Sequence, residues 1–412
     1  MQFSAMTMNM FFPSGDDPGD DNRIVEMAVA QSIWLAELGY HVWFTDHHFR
    51  GPWHSNPMQF AAYVAPLIPR DRYMGFGVLS IPFYHPLRLV ESMNLLDQLT
   101  KGKVLFGVGS GWQGTEPTGL GVDPESHASG RLAEETLDVM ERLWSFRNGD
   151  PEYSFSVGSN SGRIKRRVMP APYSKPYPTI IRVATREAGL VRAAQKGWPV
   201  FVGVLGADLH QQMQIYRRAL DEANHPQPVK DNCLRWCSYD WIGVTVADTE
   251  EEALAREKAA RAETMVIRTS YAQRHGKMDG PALKPLPGES RADSYAKGGD
   301  MKATIAGTPD AVAAKVRQLA DMGINHLHLR FLGEWDGETR YVFKESAELF
   351  AKEEMWSCRG PFATVASRTF LAVERSRPRR TNGVSSFAGH RMSRSTLCAA
   401  WSFVVVVVYL YC

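Results

Sequence analysis

Eight short apolar runs, separated by stretches with helical periodicity, constrain what this chain can fold into more than any other feature. They are QFSAMTMNMF from residue 2, HVWFTD from 41, YMGFGVLSI from 73, KVLFGVG from 103, PTIIRVA from 178, PVFVGV from 199, WIGVTVA from 241 and HLHLRF from 326. Strand-like runs alternating with helices argue for βαβ units around a parallel sheet. The helical stretches are amphipathic. Leu89, Met93, Leu96 and Leu99 return every three or four residues, with Pro86 suited to the first turn and Gly102 to a left-handed end. Val312, Val316, Leu319 and Met322 form a second stripe, between Thr308 as N-cap and Gly323 as stop. A third helical stretch ends at Gly39, just before the second run.

Eight strands with intervening helices predict an α/β fold, a (β/α)8 TIM barrel, which in bare form takes about 250 residues. The surplus falls in two polar stretches rich in Gly, Pro and Ser, so insertions are expected after strands 4 and 7. Residues 146–178 read as a hairpin followed by an extended proline-rich segment, and residues 271–306 as a long excursion. A doubly wound open sheet is the competing architecture. Its dinucleotide-binding form loses weight because no GxGxxG joins a first strand to its helix.

The chain divides into a body over 1–356 and a tail over 357–412. After Trp356 the sequence turns Arg- and Ser-rich without periodicity, and it ends in CAAWSFVVVVVYLYC. Residues 359–412 hold eight Arg and one acid, a charge of +7, so the formal +2 of the whole chain leaves −5 on residues 1–358. An acidic body offers no electrostatic attraction for nucleic acid. The last apolar stretch falls short of the ~20 residues of a spanning helix, so a membrane role is expected only if it is a tail anchor; the alternative is a segment with no folded role. With 44% hydrophobic and 22% charged residues, the body can bury a large core. Five cysteines in 412 residues fit a reducing compartment rather than a disulfide scaffold, and MQFSAMTMNMFFPSGDD carries no secretory signal, so a cytoplasmic protein is expected. Cys233 and Cys237 have a metal-like CxxxC spacing without a completing pair.

In a barrel of this kind, polar residues at the C-terminal ends of strands are placed to act. WFTDHHF at 43–49 is a buried-type strand that ends in Asp46, His47 and His48. Histidine can take, give or orient a proton near neutral pH, and a neighbouring carboxylate can hold its tautomer. Two histidines satisfied by backbone groups in a loop are the plainer reading of the same residues. GVGSGWQG at 107–114 sets small residues at the fourth strand's end, where backbone must approach something flat or anionic. VATREAG at 183–189 runs from strand end through Thr185 and Arg186 into a helix, an arrangement suited to phosphate, with simple capping by Thr185 as the alternative. His326 and His328 share one face of the last strand without a third metal ligand of suitable spacing.

In this order and spacing, these stretches resemble the bacterial luciferase-like flavin-dependent monooxygenase family over about residues 2 to 350. AELGYHVWFTDHHF, LLDQLTKGKVLFGVGSGW, VADTEEEA and AGTPDAVAAKVRQLADMGINHLHLRF each match its landmarks. The resemblance implies a barrel that binds reduced FMN supplied by a separate NAD(P)H-dependent reductase, forms a C4a-peroxyflavin with O2, and oxygenates a small hydrophobic organic substrate. It implies a homodimer. Carried over by position, it makes His47 the acid/base beside His48 and Asp46, and Thr185, Arg186 and Gly189 the phosphate contacts. Ser80 and Ile81 after strand three, and Gly109, Ser110 and Trp112 after strand four, become contacts of the flavin ring. Trp53, Phe83, Tyr84 and Trp112 could form an apolar pocket at the mouth, and the 271–306 excursion could close over it. Two departures stand out: some members have glutamate in place of Asp46, and the luciferase branch has arginine in place of Ser110. Light emission is not implied. The alternatives are an F420-dependent hydride-transfer oxidoreductase on the same barrel and a flavin-binding protein without catalysis.

Overall fold

The computed structural model of the chain describes residues 1–6, 18–48, 55–111, 115–184, 186–203, 209–260, 262, 304–331 and 344–357. In chain order the elements are β1 (Gln2–Met6), α1 (Pro18–Glu37), β2 (His41–Phe44), α2 (Pro57–Val64), β3 (Met74–Ser80), α3 (Pro86–Thr100) and β4 (Val104–Gly109). Then follow α4 (Thr115–Gly119), α5 (Pro124–Ala128), α6 (Arg131–Ser145), β5 (Tyr153–Val157), β6 (Asn160–Ile164), β7 (Thr179–Val183), α7 (Glu187–Lys196) and β8 (Val200–Val202). The last third holds α8 (Leu209–Glu222), α9 (Gln227–Arg235), β9 (Ser238–Val246), a helix α10 over residues 250–260, β10 (Thr304–Gly307), α11 (Pro309–Asp321), β11 (His326–Phe331) and α12 (Lys344–Ser357). No helix among the described residues is long and apolar enough to cross a membrane.

All eight apolar runs are strands, and they close a parallel barrel in the order β1-β2-β3-β4-β7-β8-β9-β11, with β11 pairing back onto β1. Alternation along each strand sorts its side chains into two layers. On β2, Val42 and Phe44 join the core shared with the helices, whereas Trp43 joins an inner cluster with Leu105, Ile181, Phe201 and Trp236. On β11, Leu327, Leu329 and Phe331 pack outward, and Phe350 of α12 is met edge-on by Phe331 at 6.0 Å and by Phe3 at 5.3 Å. His326 and His328 take the alternate, inward positions, where both are buried.

Two glycines of β3 make room for this interior. A Cβ on Gly75 would lie 2.4 Å from the Trp43 indole, and one on Gly77 would lie 2.8 Å from the His328 ring. The barrel is therefore filled by broad rings lying over the bare backbone of β3, with Trp43 directly beside its register partner Gly75.

The insertion after β4 contains the expected hairpin, β5 antiparallel to β6, followed by the proline-rich segment. That segment is tied along α3: Asn94 Nδ2 donates to the Pro170 carbonyl at 2.8 Å, and the buried Asp97 accepts from the Ser174 N–H and hydroxyl at 2.7 and 2.9 Å. Of the insertion after β9, residues 263–303 lie outside the described residues. Its end differs from expectation, because Thr304–Gly307 forms β10, paired in parallel with the C-terminal half of β9. TIAG is too short and too poor in large side chains to stand out as a strand in sequence.

The α3 stripe also needs correction. Leu89, Met93 and Leu96 are buried, but Leu99 is exposed, and Val90, Asn94 and Asp97 complete the inner face, two of them polar groups held by the partners just named. Thr308 caps α11 as expected, accepting from the Ala311 N–H, and Gly39 and Gly323 hold the left-handed positions that end their helices. The expected tail over 357–412 lies outside the described residues except for Ser357.

Candidate active site at the barrel mouth

β2 delivers Thr45, Asp46, His47 and His48 to the C-terminal rim of the barrel, and the chain turns there because Asp46 is anchored from two sides. Its Oδ2 accepts the Ser80 N–H at 2.9 Å, its Oδ1 accepts the Tyr84 hydroxyl at 3.0 Å, and Asp46 itself is buried. Burial and the Asp46 charge keep the Tyr84 hydroxyl protonated, well above its usual range. Ser80, the last residue of β3, is therefore locked to the end of β2. The His48 Nε2 sits 3.3 Å from Asp46 Oδ1, and this contact holds the His48 ring more basic than an ordinary histidine despite its partial burial.

His47 is held by a different carboxylate. Glu116, on the first turn of α4, is fully buried, and its Oε1 lies 3.1 Å from His47 Nδ1 and 2.8 Å from the His48 backbone N–H. Its other oxygen, Oε2, is buried with no partner among the described residues, as is Nε2 of His127 on α5. The His127 ring stacks on Phe83 at 5.4 Å, and Phe83 in turn meets His48 edge-on at 5.9 Å. Burial makes His127 less basic than usual, which keeps it neutral. Gly111, at φ +79, lies within this group: a Cβ there would come within 3.1 Å of both His127 Nε2 and Ser80 Oγ and within 3.3 Å of Phe83. The left-handed backbone and the close approach both call for glycine at this position.

The sequence-derived residues distribute as follows. Asp46, His47, His48, Ser80, Gly109 and Ser110 all lie at neighbouring strand ends of one mouth. Gly109 ends β4, where a Cβ would collide with Val78 of the adjacent strand at 2.9 Å. Ser110 is half-buried, its hydroxyl turned to the Gly111 carbonyl at 3.3 Å. Ile81 departs from expectation: its side chain is fully buried in the core between sheet and helices, so a ligand at the mouth meets its backbone at most. Trp53, Trp112 and Thr185 lie outside the described residues. Arg186, not a hydroxyl residue, occupies the N-cap position of α7, exposed and without a side-chain capping bond, and Gly189 is half-buried on the first turn. Nearby, Arg182 and Arg192 are committed to Glu134 and Asp138, so Arg186 is the arginine at this strand end with no carboxylate partner among the described residues. A hydroxyl cap was the plainer alternative for this turn; the helix begins one residue later than that reading needs.

Sequence reasoning missed Glu116 and His127. Both sit in a short stretch beyond the Gly-rich segment where a lone acid and a lone histidine give no periodic or spacing signal. Proximity in sequence favoured Asp46 as the carboxylate for His47, but Asp46 is spent on Ser80, Tyr84 and His48.

The inward pair of β11 takes no part in the mouth. His326 accepts or donates at both nitrogens, to Ser4 Oγ and Ser238 Oγ at 2.5 Å each, and His328 is wedged between Trp43 and Phe201 behind Gly77. No cluster of three or more potential metal ligands occurs among the described residues. Cys233 and Cys237 are buried thiols, pushed up to about 11 and about 12 by desolvation, and so remain protonated.

The model of the luciferase-like monooxygenase family matches residues 1–326. The chain belongs to that family. A curated relative, the 4-hydroxyprotoasukamycin monooxygenase of Streptomyces nodosus subsp. asukaensis, is 30% identical over 356 residues, covering 82% of this chain and 88% of the relative. Among solved structures, the oxygenating constituent of the 3,6-diketocamphane monooxygenase from Pseudomonas putida, a type II Baeyer-Villiger enzyme in complex with FMN, superposes with a TM-score of 0.60 at 18% identity, over 86% of this chain and 97% of that one. An F420-dependent secondary alcohol dehydrogenase in complex with an F420-acetone adduct superposes with a TM-score of 0.57 at 15% identity, over 85% of this chain and 97% of that one. At those identities the two structures establish the shared barrel alone. The first of those two proteins is described with FMN and the second with an F420 adduct.

Proposed function

We propose that the protein is an FMN-dependent monooxygenase that uses reduced flavin, delivered by a separate NAD(P)H-dependent reductase, and O2 to oxygenate a small hydrophobic organic substrate. The observation that carries this reading is the composition of the mouth. A run of strand ends almost free of side chains (Ser80, Gly109, Ser110, Gly111) adjoins His47, a partly exposed histidine braced by a buried carboxylate. Bare strand ends accept a planar ring closely, and buried Glu116 and His127 atoms without partners fit a polar ring edge or substrate oxygen better than they fit an apolar core. The phosphate end would lie at α7, where backbone N–H groups and the Arg186 guanidinium meet.

Bound there, the reduced flavin would supply the two electrons that activate O2, one atom of which would enter the substrate while the other leaves as water. The protein's own residues would do the rest. His47 would take and return the proton that oxygen transfer requires, while Asp46, through Ser80 and Tyr84, would fix the rim on which His47 stands. Phe83, Tyr84 and the aromatic stack with His127 would give an apolar side to the mouth, keeping water from the reacting atoms. A homodimer fits the exposed apolar residues Tyr63 and Leu67 near α2 and Leu95 and Leu99 on the adjoining α3. A cytoplasmic location follows from the same reading, since a soluble reductase must reach the mouth.

The test is titration of the full chain with FMN, oxidised and reduced, followed by flavin fluorescence. Saturable binding is expected, and its absence would refute the reading. Turnover with reduced FMN should require O2 and place one atom of 18O in product. The F420 alternative predicts the reverse pattern, oxidation of an alcohol-type donor under anaerobic conditions with F420 and no label incorporated.

A further inference from the structure

We infer that Glu116 is a positioning residue for His47: it fixes the Nδ1–H tautomer and thereby makes Nε2 the nitrogen that takes and returns a proton. The inference rests on the reading of His47 as the acid/base.

A backbone N–H can only donate, so Glu116 Oε1, at 2.8 Å from the His48 N–H, acts there as an acceptor. His47 Nδ1 approaches the same oxygen at 3.1 Å, and the arrangement is complete when that nitrogen carries its hydrogen. A neutral imidazole with Nδ1 protonated has its basic lone pair on Nε2. The carboxylate is suited to hold this state because it is fully buried and fixed by the His48 backbone, which ties α4 to the residue following His47. Among the described residues, the other carboxylate beside these histidines is Asp46. Asp46 spends one oxygen on Ser80 and the other on Tyr84 and His48. The rim thus carries two crossed carboxylate–histidine pairs, with Asp46 serving His48 and the strand ends, and Glu116 serving His47. Only the second controls the tautomer of the residue assigned to proton transfer.

The experiment uses the full chain labelled with 15N at histidine, with long-range 1H–15N spectra recorded at about pH 8, where an ordinary histidine is neutral. The His47→Asn variant assigns the His47 signals among the 12 histidines. In the wild type, His47 should show a protonated Nδ1 and a lone-pair Nε2. Glu116→Gln keeps an acceptor oxygen and should keep that pattern, with kcat within about tenfold of wild type. Glu116→Met keeps the length but no acceptor, and should move His47 toward Nε2–H and lower kcat by about 100-fold, the scale of positioned acid/base catalysis, while the Kd for FMN changes less than about threefold.

A wild-type His47 with protonated Nε2, or one whose tautomer survives in Glu116→Met, would overturn the proposal. Should Glu116→Met fail to fold, loss of the Nδ1–H pattern in Glu116→Gln would overturn it equally. The reading beneath it fails separately: full turnover by His47→Asn would remove His47 from the chemistry, whereas the tautomer spectra judge Glu116 without reference to turnover.

Discussion

Five histidines line the barrel from one end to the other, and they fall into two groups with opposite chemistry. His41, His326 and His328 lie inside, among aromatic rings and hydroxyls. His47 and His48 stand on the rim beside carboxylates. Inside, desolvation dominates: His41 and His328 are lowered to about 3 and His326 well below its usual value, and the nearby Arg72, Arg235 and Lys103 push His41 further the same way. His41 accepts the Tyr73 N–H at Nδ1 and so donates from Nε2 to Gln2. These rings are neutral packing pieces that happen to hydrogen bond. On the rim, His48 is only half-buried, and the Asp46 contact outweighs its desolvation. Burial alone therefore does not mark a histidine as functional; the kind of partner does.

The strongest way to break this contrast is to remove a ring from the interior. His326→Leu would leave the buried Ser4 hydroxyl without its partner and Ser238 with only the Trp236 carbonyl, and at about 1–3 kcal/mol for an unpartnered buried group, with the lost ring packing added, the loss should be about 3 kcal/mol of stability, read as a lower denaturant midpoint. A midpoint within error of wild type would show that the interior hydrogen bonds hold nothing. At the rim the expected pattern is reversed: His47→Ala should cost about 100-fold or more in kcat yet change stability by less than about 1 kcal/mol.

Acidity separates the groups by sign. Between about 6.5 and about 3, the unfolded chain binds protons on His41, His326 and His328 that the folded chain refuses, so stability should fall as pH drops through that window. His48 behaves oppositely. Its raised folded value stabilises the protein below the ordinary histidine range, and that contribution is lost as pH rises through the raised value. In Tm measured against pH, His48→Asn should flatten the curve only on the alkaline side of about 6.5; flattening on the acid side would contradict the assignment. The smallest effect is expected for Ser238→Ala, about 1 kcal/mol, since His326 keeps Ser4 as its partner.

Much of this barrel was legible in the sequence because its strands are apolar on both faces, one side packing on helices and the other on rings such as Trp43 and Phe201. Such strands appear as continuous runs, and all eight did. β10 did not, because a four-residue edge with one large apolar side chain, Ile305, has no such signature. At the site, the rim residues attached to strand ends were legible for the same reason: Asp46, His47, Ser80 and Gly109 follow directly from where each run stops. What failed was pairing across the mouth. Glu116 lies 69 residues from His47, and only the side-by-side pairing of β2, β3 and β4 brings them together. Ile81 adjoins a rim residue, but its own side chain turns back into the core, a direction that the run of apolar residues does not reveal.

Unlike the other barrel strands, β8 has only three residues, and it is registered to β7 and to β9 by two residue pairs on each side. Beyond those pairs, the free edge of β9 is taken by β10, and the end of β8 is secured instead by Gln212, whose amide oxygen accepts the Gly203 N–H at 2.8 Å while its nitrogen reaches the Ala184 carbonyl at 3.4 Å. With so few ladder bonds to hold it, the short strand should open more often than its neighbours, so amide exchange in Phe201 and Val202 should outpace that in Leu105 and Phe106.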